Sequence, residues 1–341
     1  GGSGEHSSML YTVPDQKLSV AVVGSGPKSG AMQIALDILD AALAERKLVG
    51  KEEQPVPAPV PPRSWPKAEE AYAGYYANEN QLFQAVFDAG RRSLTVNAFQ
   101  GQEKSPARSL VYNDGYYHDP KGERSYFISV GGEDYFVDHM GSMWLDRIAM
   151  QKLQPLAEPR SLRIPMDGRR WLRRNVSPRE AFTSVGSHFV RSYLYKDLPG
   201  YVYFGNALRI DGPSTAGMPF DAVRDQMELS LFEKDGATWA WLSSLLFSPG
   251  EAAAALKTGE NGAKIGGEGF SEWLSAGAGL VLSFQKPKGS RVIVFSPEDE
   301  ATYDSAADSG EAFVAKGGFV EFAGSVGDEL TVQARAVGAG L

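Results

Sequence analysis

The chain has no cysteine, no apolar run long enough for a transmembrane helix and no block of basic residues. Without cysteine, neither a disulfide scaffold nor a thiolate metal site can form. A helix needs about 20 consecutive apolar residues to cross a bilayer, and the sequence offers none. The 34 Lys and Arg residues are outnumbered by 42 Asp and Glu residues and are dispersed, which argues against nucleic acid or an anionic membrane as a partner.

Two or three folded domains are expected from the length and composition. The chain has 341 residues, of which 43% are hydrophobic and 22% charged, as in globular proteins. Five prolines fall within residues 52–62, and this segment is predicted to be an extended spacer because proline has a fixed φ and no amide hydrogen. The predicted organisation is a hairpin and helix at 1–47, a Pro-rich linker at 48–66, a β-barrel at 67–155, a second linker at 156–180 and a second β-rich domain at 181–341.

The opening segment has the pattern of a β-hairpin followed by a helix. Residues 9–13 and 18–23 are rich in β-branched and apolar residues, and a turn that begins with Pro14 and Asp15 separates them. The helix that follows is predicted to bury an apolar stripe, formed by Met32, Leu36, Leu39 and Leu43. A hairpin and one helix cannot bury their own apolar faces, so we expect this segment to pack on something larger.

The string GGSGEHSSMLYTVPDQKLSVAVVGSG, followed by a helix, resembles the C-terminal end of the serine β-lactamase and penicillin-binding-protein fold. It is closest to the branch of class C-like esterases, D-aminopeptidases and D-Ala-D-Ala carboxypeptidases. In that family a third catalytic box, Lys-Thr-Gly or His-x-Gly, lies on an edge strand ahead of such a hairpin and closing helix. The resemblance therefore implies that the wall of a substrate cleft is formed by Gly2, Ser3, Gly4, Glu5 and His6. A cloned linker on an ordinary hairpin is the alternative for residues 1–4.

The resemblance implies that the catalytic residues of the parent hydrolase precede residue 1, so that none lies in this chain. The parent is then a secreted enzyme that hydrolyses D-amino-acid peptides, β-lactams or esters through an acyl-enzyme. Its expected location is extracellular, periplasmic or the cell envelope, without a cofactor or a metal. The implied partners are the missing N-terminal catalytic half, a peptide or β-lactam substrate and a second copy in a homo-oligomer, but not nucleic acid.

Three short motifs imitate the complete catalytic signature of the family in the right order. They are Ser25-Gly26-Pro27-Lys28, Tyr76-Ala77-Asn78 and Lys257-Thr258-Gly259. A Ser-x-x-Lys arises by chance about once in a chain of this length. We interpret the trio as a coincidence, because Lys257 follows the strong helix former EAAAAL at 251–256, whereas the third box of the family lies on a strand.

Residues 72–150 show eight short strand patterns joined by tight turns, such as Asn113-Asp114-Gly115 and Gly131-Gly132. Eight strands in up-and-down order predict a small closed barrel, since closure removes exposed edges. The string EEAYAGYYANENQLFQAVFD resembles the opening of the lipocalin-like domains that follow the catalytic domain in some hydrolases of this family. The barrel is strongly aromatic, and we expect its rings to fill the interior rather than to line a pocket.

A non-catalytic module is the alternative function, with barrels that bind a hydrophobic ligand or a cell-wall partner. His118 and His139 lie among acidic residues, but their spacing matches no metal motif. Five arginines, which could bind phosphate, are expected instead to bind the acidic surface of a neighbouring domain. These are Arg163, Arg169, Arg170, Arg173 and Arg174.

The region 181–341 has further strand patterns that suit either a second barrel or a β-sandwich, with one helix predicted at 251–257. The string YVYFGN at 201–206 is similar to YAGYYAN at 72–78, which hints at two related barrels. The predicted fold class is therefore mostly β: a hairpin plus helix from a hydrolase α/β layer, a lipocalin-like antiparallel barrel, and a second barrel or sandwich.

Overall fold

The turn at Pro14–Gln16 sets the geometry of the first part of the fold. This 3-10 turn ends at Lys17, which has the left-handed φ of 50°. It joins strands β2 (His6–Val13) and β3 (Leu18–Ser25), and β1 (Gly2–Ser3) pairs with the outer edge of β2. Helix α1 (Ala31–Glu45) follows and packs on β2 and β3. The predicted hairpin and helix are thereby confirmed.

The computed structural model describes residues 2–3, 6–25, 30–48, 67–79, 81–140, 145–178, 188–220, 226–267 and 271–337. The chain separates into two compact units, Gly1–Ala58 and Pro59–Leu341. Among the described residues, no helix is long and apolar enough to cross a membrane. The predicted linker at 48–66 lies outside the described residues except for Leu48.

Helix α1 contacts the sheet through a stripe that overlaps the predicted one, because Leu39 is buried and Leu36 and Leu43 are half-buried. Ala31, Ala35 and Leu39 are its buried residues, while Met32 is 47% exposed. The helix is turned so that alanines face the strands, since a small side chain lets the two backbones approach closely. The prediction that Met32 belongs to the buried stripe was wrong.

The first barrel is an eight-stranded antiparallel meander in which each strand pairs with its neighbour in sequence. Pairing of the last strand with the first, such as Gln151 with Ala77, closes it. The predicted closed barrel is confirmed. Its strands are β4 (Gly74–Ala77), β5 (Leu82–Asp88), β6 (Ser93–Gln100), β7 (Glu103–Asn113), β8 (Tyr116–His118), β9 (Arg124–Val130), β10 (Glu133–Met140) and β11 (Leu145–Leu153).

A second closed eight-stranded antiparallel barrel follows directly. Its first strand, β12 (Arg169–Arg173), lies inside the segment 156–180 that was predicted to be a linker, and that prediction was wrong for these residues. Trp171 of β12 is fully buried in the barrel core, which explains why the strand belongs here. The remaining strands are β13 (Phe189–Leu194), β14 (Tyr201–Tyr203), β15 (Ala207–Ile210), β16 (Thr215–Gly217), β17 (Glu228–Lys234), β18 (Ala237–Leu242) and β19 (Leu245–Pro249).

Two facing sheets form the last part of the chain, so that 181–341 contains both a barrel and a sandwich. One sheet has the order β20-β22-β27-β24-β25, and the other has the order β21-β28-β23-β26. A shared apolar core, including Leu282, Val292 and Phe322, lies between them. The strands are β20 (Ala254–Leu256), β21 (Gly259–Lys264), β22 (Ser271–Ala276), β23 (Leu280–Gln285), β24 (Arg291–Phe295), β25 (Ala301–Asp304), β26 (Ala312–Val314), β27 (Phe319–Ala323) and β28 (Glu329–Ala336).

The helix predicted at 251–257 is not present. Gly250–Ala252 is a short 3-10 turn, and β20 pairs in parallel with β22. Leu256 is buried in the sandwich core, so packing and a strand partner override the local helix preference of the alanines.

The two barrels and the sandwich contact one another through apolar seams. Leu153 and Leu82 of the first barrel pack with Tyr201 of the second. Leu172 of the second barrel packs with Trp273 and Phe295 of the sandwich. These seams hold the three bodies of the second unit together, and the clefts considered below lie along them.

Candidate functional site

The residues expected to form a hydrolase cleft wall lie at the edge of the three-stranded sheet. Gly2 pairs with Ser7 and Ser3 with His6, so β1 is an edge strand, and the side chain of His6 is exposed. Gly4 and Glu5 lie outside the described residues.

The three motifs that resemble the catalytic signature lie in different segments of the chain. Ser25 is exposed at the end of β3 in the first unit, and Lys28 lies outside the described residues. Tyr76 is fully buried in the first barrel, where its hydroxyl donates to the Tyr72 carbonyl at 2.7 Å. Burial raises the pKa of the Tyr76 hydroxyl above its usual value, so this hydroxyl stays protonated at neutral pH and is not available as a base.

The other two members of the trio have structural roles. Asn78 organises the β4–β5 turn, because its side chain accepts from the Gln81 amide at 3.0 Å and donates to the Ala149 carbonyl at 3.2 Å. Lys257 is exposed on the sandwich, whereas Tyr76 is enclosed in the first barrel. Lys257 follows a strand and not a helix, so the predicted helix was a wrong reason for rejecting the motif at Lys257. The burial of Tyr76 is a stronger reason for regarding the three motifs as a coincidence.

The interior of the first barrel is filled with side chains. Leu94, Leu110, Tyr117 and Phe136 are each fully buried, and many aromatic rings meet within about 6 Å. At one end the Tyr117 hydroxyl donates to Glu69 at 2.9 Å. The second barrel is packed around Trp171, Phe204 and Phe247 in the same way. Within the described part of the chain, side chains therefore fill both cores.

The acidic residues near His118 and His139 are engaged with cations or backbone groups. Asp138 pairs with Arg108 at 2.7 Å, and Asp134 pairs with Lys152 at 3.2 Å. His139 contacts Asp146 at 2.7 Å, and Asp119 accepts from the amides of its own turn. Among the described residues, no group of three or more potential ligands could hold a metal ion.

The arginine run binds the acidic face of the sandwich. Ion pairs join Arg169 to Glu251, Arg170 to Asp299 and Arg174 to Glu272. Arg163 instead pairs with Glu233 inside the second barrel at 3.1 Å, and Arg173 lies in the seam, where its carbonyl accepts from the Trp273 indole at 2.7 Å. For three of the five arginines, the expected contact with a neighbouring domain is therefore present.

A cleft of about 700 Å³ lies along this seam, between the second barrel and the sandwich. Three parts of the chain form it: the end of β12 with Arg174, the β17–β18 hairpin with Lys234 and Trp239, and the sandwich with Glu251 and Glu272. The cleft is large enough for a small molecule or a short polymer segment. A neighbouring depression of about 450 Å³ continues it past Glu251.

Charges of both signs are arranged around one indole in this cleft. The Arg174 guanidinium and the Lys234 ammonium each lie 5.3 Å from the centroid of the Trp239 ring, within the range of a cation–π contact. The carboxylates at the rim are more open to solvent, since Asp235 is 81% and Glu251 62% exposed. The cleft can therefore hold a polar ligand that carries charge.

Comparison with family models, with curated proteins and with solved structures finds no match to this chain.

The sequence pattern predicted the contacts of the arginines but not the cleft itself. Its residues come from the segment predicted as a linker, from the β17–β18 hairpin and from the segment predicted as a helix. They come together because the second barrel and the sandwich pack on each other. The run of arginines was the one visible indication, because a basic strip in an acidic chain predicts an acidic partner surface.

Proposed function

We propose that this chain is the C-terminal part of a serine hydrolase of the β-lactamase and penicillin-binding-protein type. Residues 1–47 would complete the edge of the hydrolase sheet, and the barrels and sandwich would be accessory domains. The parent would act on D-amino-acid peptides, β-lactams or esters through an acyl-enzyme, with the serine, its base and the oxyanion hole supplied from outside this chain. Gly2, Ser3 and His6 would then border the substrate.

The open face of the three-stranded sheet is the main support for this proposal. Helix α1 covers one face, where Met9, Val20 and Val22 are half-buried. On the other face Leu10 is 64% and Val23 81% exposed. A three-stranded sheet that leaves two large apolar side chains exposed among serines and a threonine on its uncovered face would suit one layer of a larger fold.

The test is to produce the protein with its coding sequence extended upstream of Gly1 and to compare it with chain 1–341. Nitrocefin and D-alanyl-p-nitroanilide serve as substrates. We expect turnover by the extended protein and none by chain 1–341. An extended protein without turnover and without Ser-x-x-Lys and Tyr-x-Asn motifs would contradict the proposal, as would turnover by chain 1–341 that Ser25→Ala abolishes.

A binding module is the second candidate, and the seam cleft favours a charged partner such as cell-wall polymer over a hydrophobic ligand. Retention of chain 1–341 on insoluble peptidoglycan tests it. The double variant Asp235→Asn, Glu251→Gln should lower retention if the rim carboxylates bind the polymer. Glu300→Gln, an exposed change on the same sandwich, is the matched control. Equal retention of both variants and the unaltered chain would remove this candidate.

A further inference from the structure

A second cavity, of about 240 Å³, lies at the seam between the two barrels. Three aromatic side chains form its walls: Tyr75 of β4, Phe99 of β6 and Tyr195, which directly follows β13. The volume is below the range of about 300–1,000 Å³ typical of pockets for drug-sized ligands. The cavity is therefore of the size for a single ring with one substituent.

The three rings are set at different angles. The centroids of Tyr75 and Phe99 are 6.0 Å apart with planes at 45°, and those of Phe99 and Tyr195 are 6.3 Å apart with planes at 86°. A flat ring in such a box can stack on one wall and meet another edge-on, which are the two favourable arrangements of aromatic pairs. An aliphatic ring of the same volume would gain only the apolar contact.

The polar groups of the cavity leave one cation available. Asp197 accepts from the Tyr75 hydroxyl at 3.1 Å, and a relay through Gln84 connects that hydroxyl to the Lys104 ammonium. Lys196 lines the same cavity, is exposed and has no ion-pair partner within the described part of the chain. The cavity mouth therefore carries the Lys196 ammonium beside the Asp197 carboxylate, and of these two charged groups only Asp197 has a hydrogen-bond partner among the described residues.

Two buried hydroxyls behind the wall are incompletely satisfied. Tyr193 and Tyr195 are only 6% and 8% exposed, and within the described residues their hydroxyl oxygens have no partner other than each other. A pair of hydroxyls can make one hydrogen bond between them, so one O–H remains without an acceptor. Burial without an acceptor is unfavourable, and a ligand atom that accepts would relieve it.

We propose that this cavity is a binding site for a small aromatic carboxylate, with the ring packed against the side chains of Phe99 and Tyr195 and the carboxylate on the Lys196 ammonium. The aromatic box selects for a planar ring, and the unpaired ammonium selects for an anion. The lining of this site shares no residue with the cleft at Trp239.

The test is calorimetric titration of the whole chain with benzoate and with three matched compounds. Cyclohexanecarboxylate keeps the charge without the π face, benzyl alcohol keeps the ring without the charge, and benzylamine reverses the charge. We expect benzoate to bind with a Kd of about 0.1–1 mM, as suits nine heavy atoms, and each matched compound to bind at least about tenfold more weakly.

Two variants locate the binding. Lys196→Gln should weaken the binding of benzoate by about tenfold, since it removes a charge-assisted hydrogen bond. Phe99→Leu should weaken benzoate binding by a similar factor, but the variant should still prefer an anion. Lys288→Gln, an exposed lysine on the sandwich, should leave the Kd unchanged. Absence of saturable binding, equal binding of cyclohexanecarboxylate, or an unaltered Kd in Lys196→Gln would each overturn the proposal.

Discussion

His188 of the second barrel and Glu321 of the sandwich are hydrogen-bonded through Nδ1 and Oε2 inside the seam that joins the two bodies. Glu321 is completely buried and His188 is 6% exposed. The second carboxylate oxygen of Glu321 has no hydrogen-bond partner within the described residues. Burial raises the pKa of Glu321, and the nearby positive charges of Arg173 and Arg291 only partly offset this.

The raised pKa of Glu321 predicts that the fold tolerates glutamine, the neutral analogue of glutamate, at this position. Because the folded state binds this proton more tightly than the unfolded state, Glu321 contributes most at low pH, and its contribution falls as pH rises through the folded pKa. Glu321→Gln should therefore change the free energy of unfolding by less than about 1 kcal/mol at pH 7. Its stability relative to the unaltered chain should increase from pH 5 to pH 8.

Denaturant unfolding at several pH values measures this effect. Glu300→Gln, on the exposed surface of the sandwich, controls for the general effect of a lost carboxylate. Glu321→Leu should cost about 3 kcal/mol, because it leaves the polar partners buried without a hydrogen bond. A Glu321→Gln variant that becomes relatively less stable with rising pH would contradict the account.

Asp299 is predicted to contribute most among the ion pairs of the seam. It binds both Arg170 and Arg191, whose guanidinium groups also donate to the Pro297 carbonyl, each at 2.8 Å. Asp299 is 18% exposed and has a φ of 75°, a conformation that Asn also adopts readily. Asp299→Asn therefore removes charge without backbone strain, and we expect a loss of about 2–4 kcal/mol.

Glu251→Gln is the matched comparison for Asp299. Its carboxylate is 62% exposed and, within the described residues, pairs with Arg169 alone, so the loss of unfolding free energy should be below about 1 kcal/mol. Urea unfolding of the two variants gives the ranking directly. Equal losses of unfolding free energy in the two variants would show that the contact of Asp299 with two arginines does not stabilise the packing of the sandwich on the second barrel.

Tyr117 is predicted to control the ionisation of Glu69 at the end of the first barrel. Burial raises the pKa of Glu69, and the hydrogen bond from Tyr117 lowers it in part. Tyr117→Phe should raise the Glu69 pKa further and cost about 1–2 kcal/mol. Carbon-detected NMR titration of Glu69 measures the pKa, with Tyr116→Phe on the exposed side of the strand as control. A lowered pKa in Tyr117→Phe would be inconsistent with this hydrogen bond.

Val23 provides a test of the open sheet face. Because its side chain is 81% exposed, Val23→Lys should alter the free energy of unfolding of chain 1–341 by less than about 0.5 kcal/mol. In the extended protein the same change should abolish activity, since it places a charge between packed layers. Asp40→Lys, on the exposed side of α1, is the control. Full activity of the Val23→Lys extended protein would show that this face is not covered.

The first barrel could be predicted from sequence because every strand pairs with its neighbour along the chain. Turns such as Asn113-Asp114-Gly115 mark each reversal, and Asp114 and Gly115 do adopt positive φ. The sandwich could not be predicted as well, because its pairs are distant in sequence, as when Gly259 pairs with Ala334. The helix predicted at 251–257 failed for the same reason, since β22 supplies the hydrogen bonds that favour an extended chain there.

The candidate sites were less predictable than the fold. Arg170 was recognised as a contact residue from the basic run, but its partner Asp299 could not be identified, because the chain between them gives no sign of the pairing. The cavity at Tyr75 and Tyr195 lies between the two barrels, and no local sequence pattern indicates how two closed barrels pack on each other.

Mapping of the acylated serine tests the central claim most directly. The extended protein and chain 1–341 are each incubated with a penicillin, digested and examined by mass spectrometry for the penicilloyl adduct. The account predicts a single adduct on a serine upstream of Gly1 in the extended protein, and none in chain 1–341. An adduct on Ser25, or an extended protein that no penicillin or activated ester acylates, would contradict it.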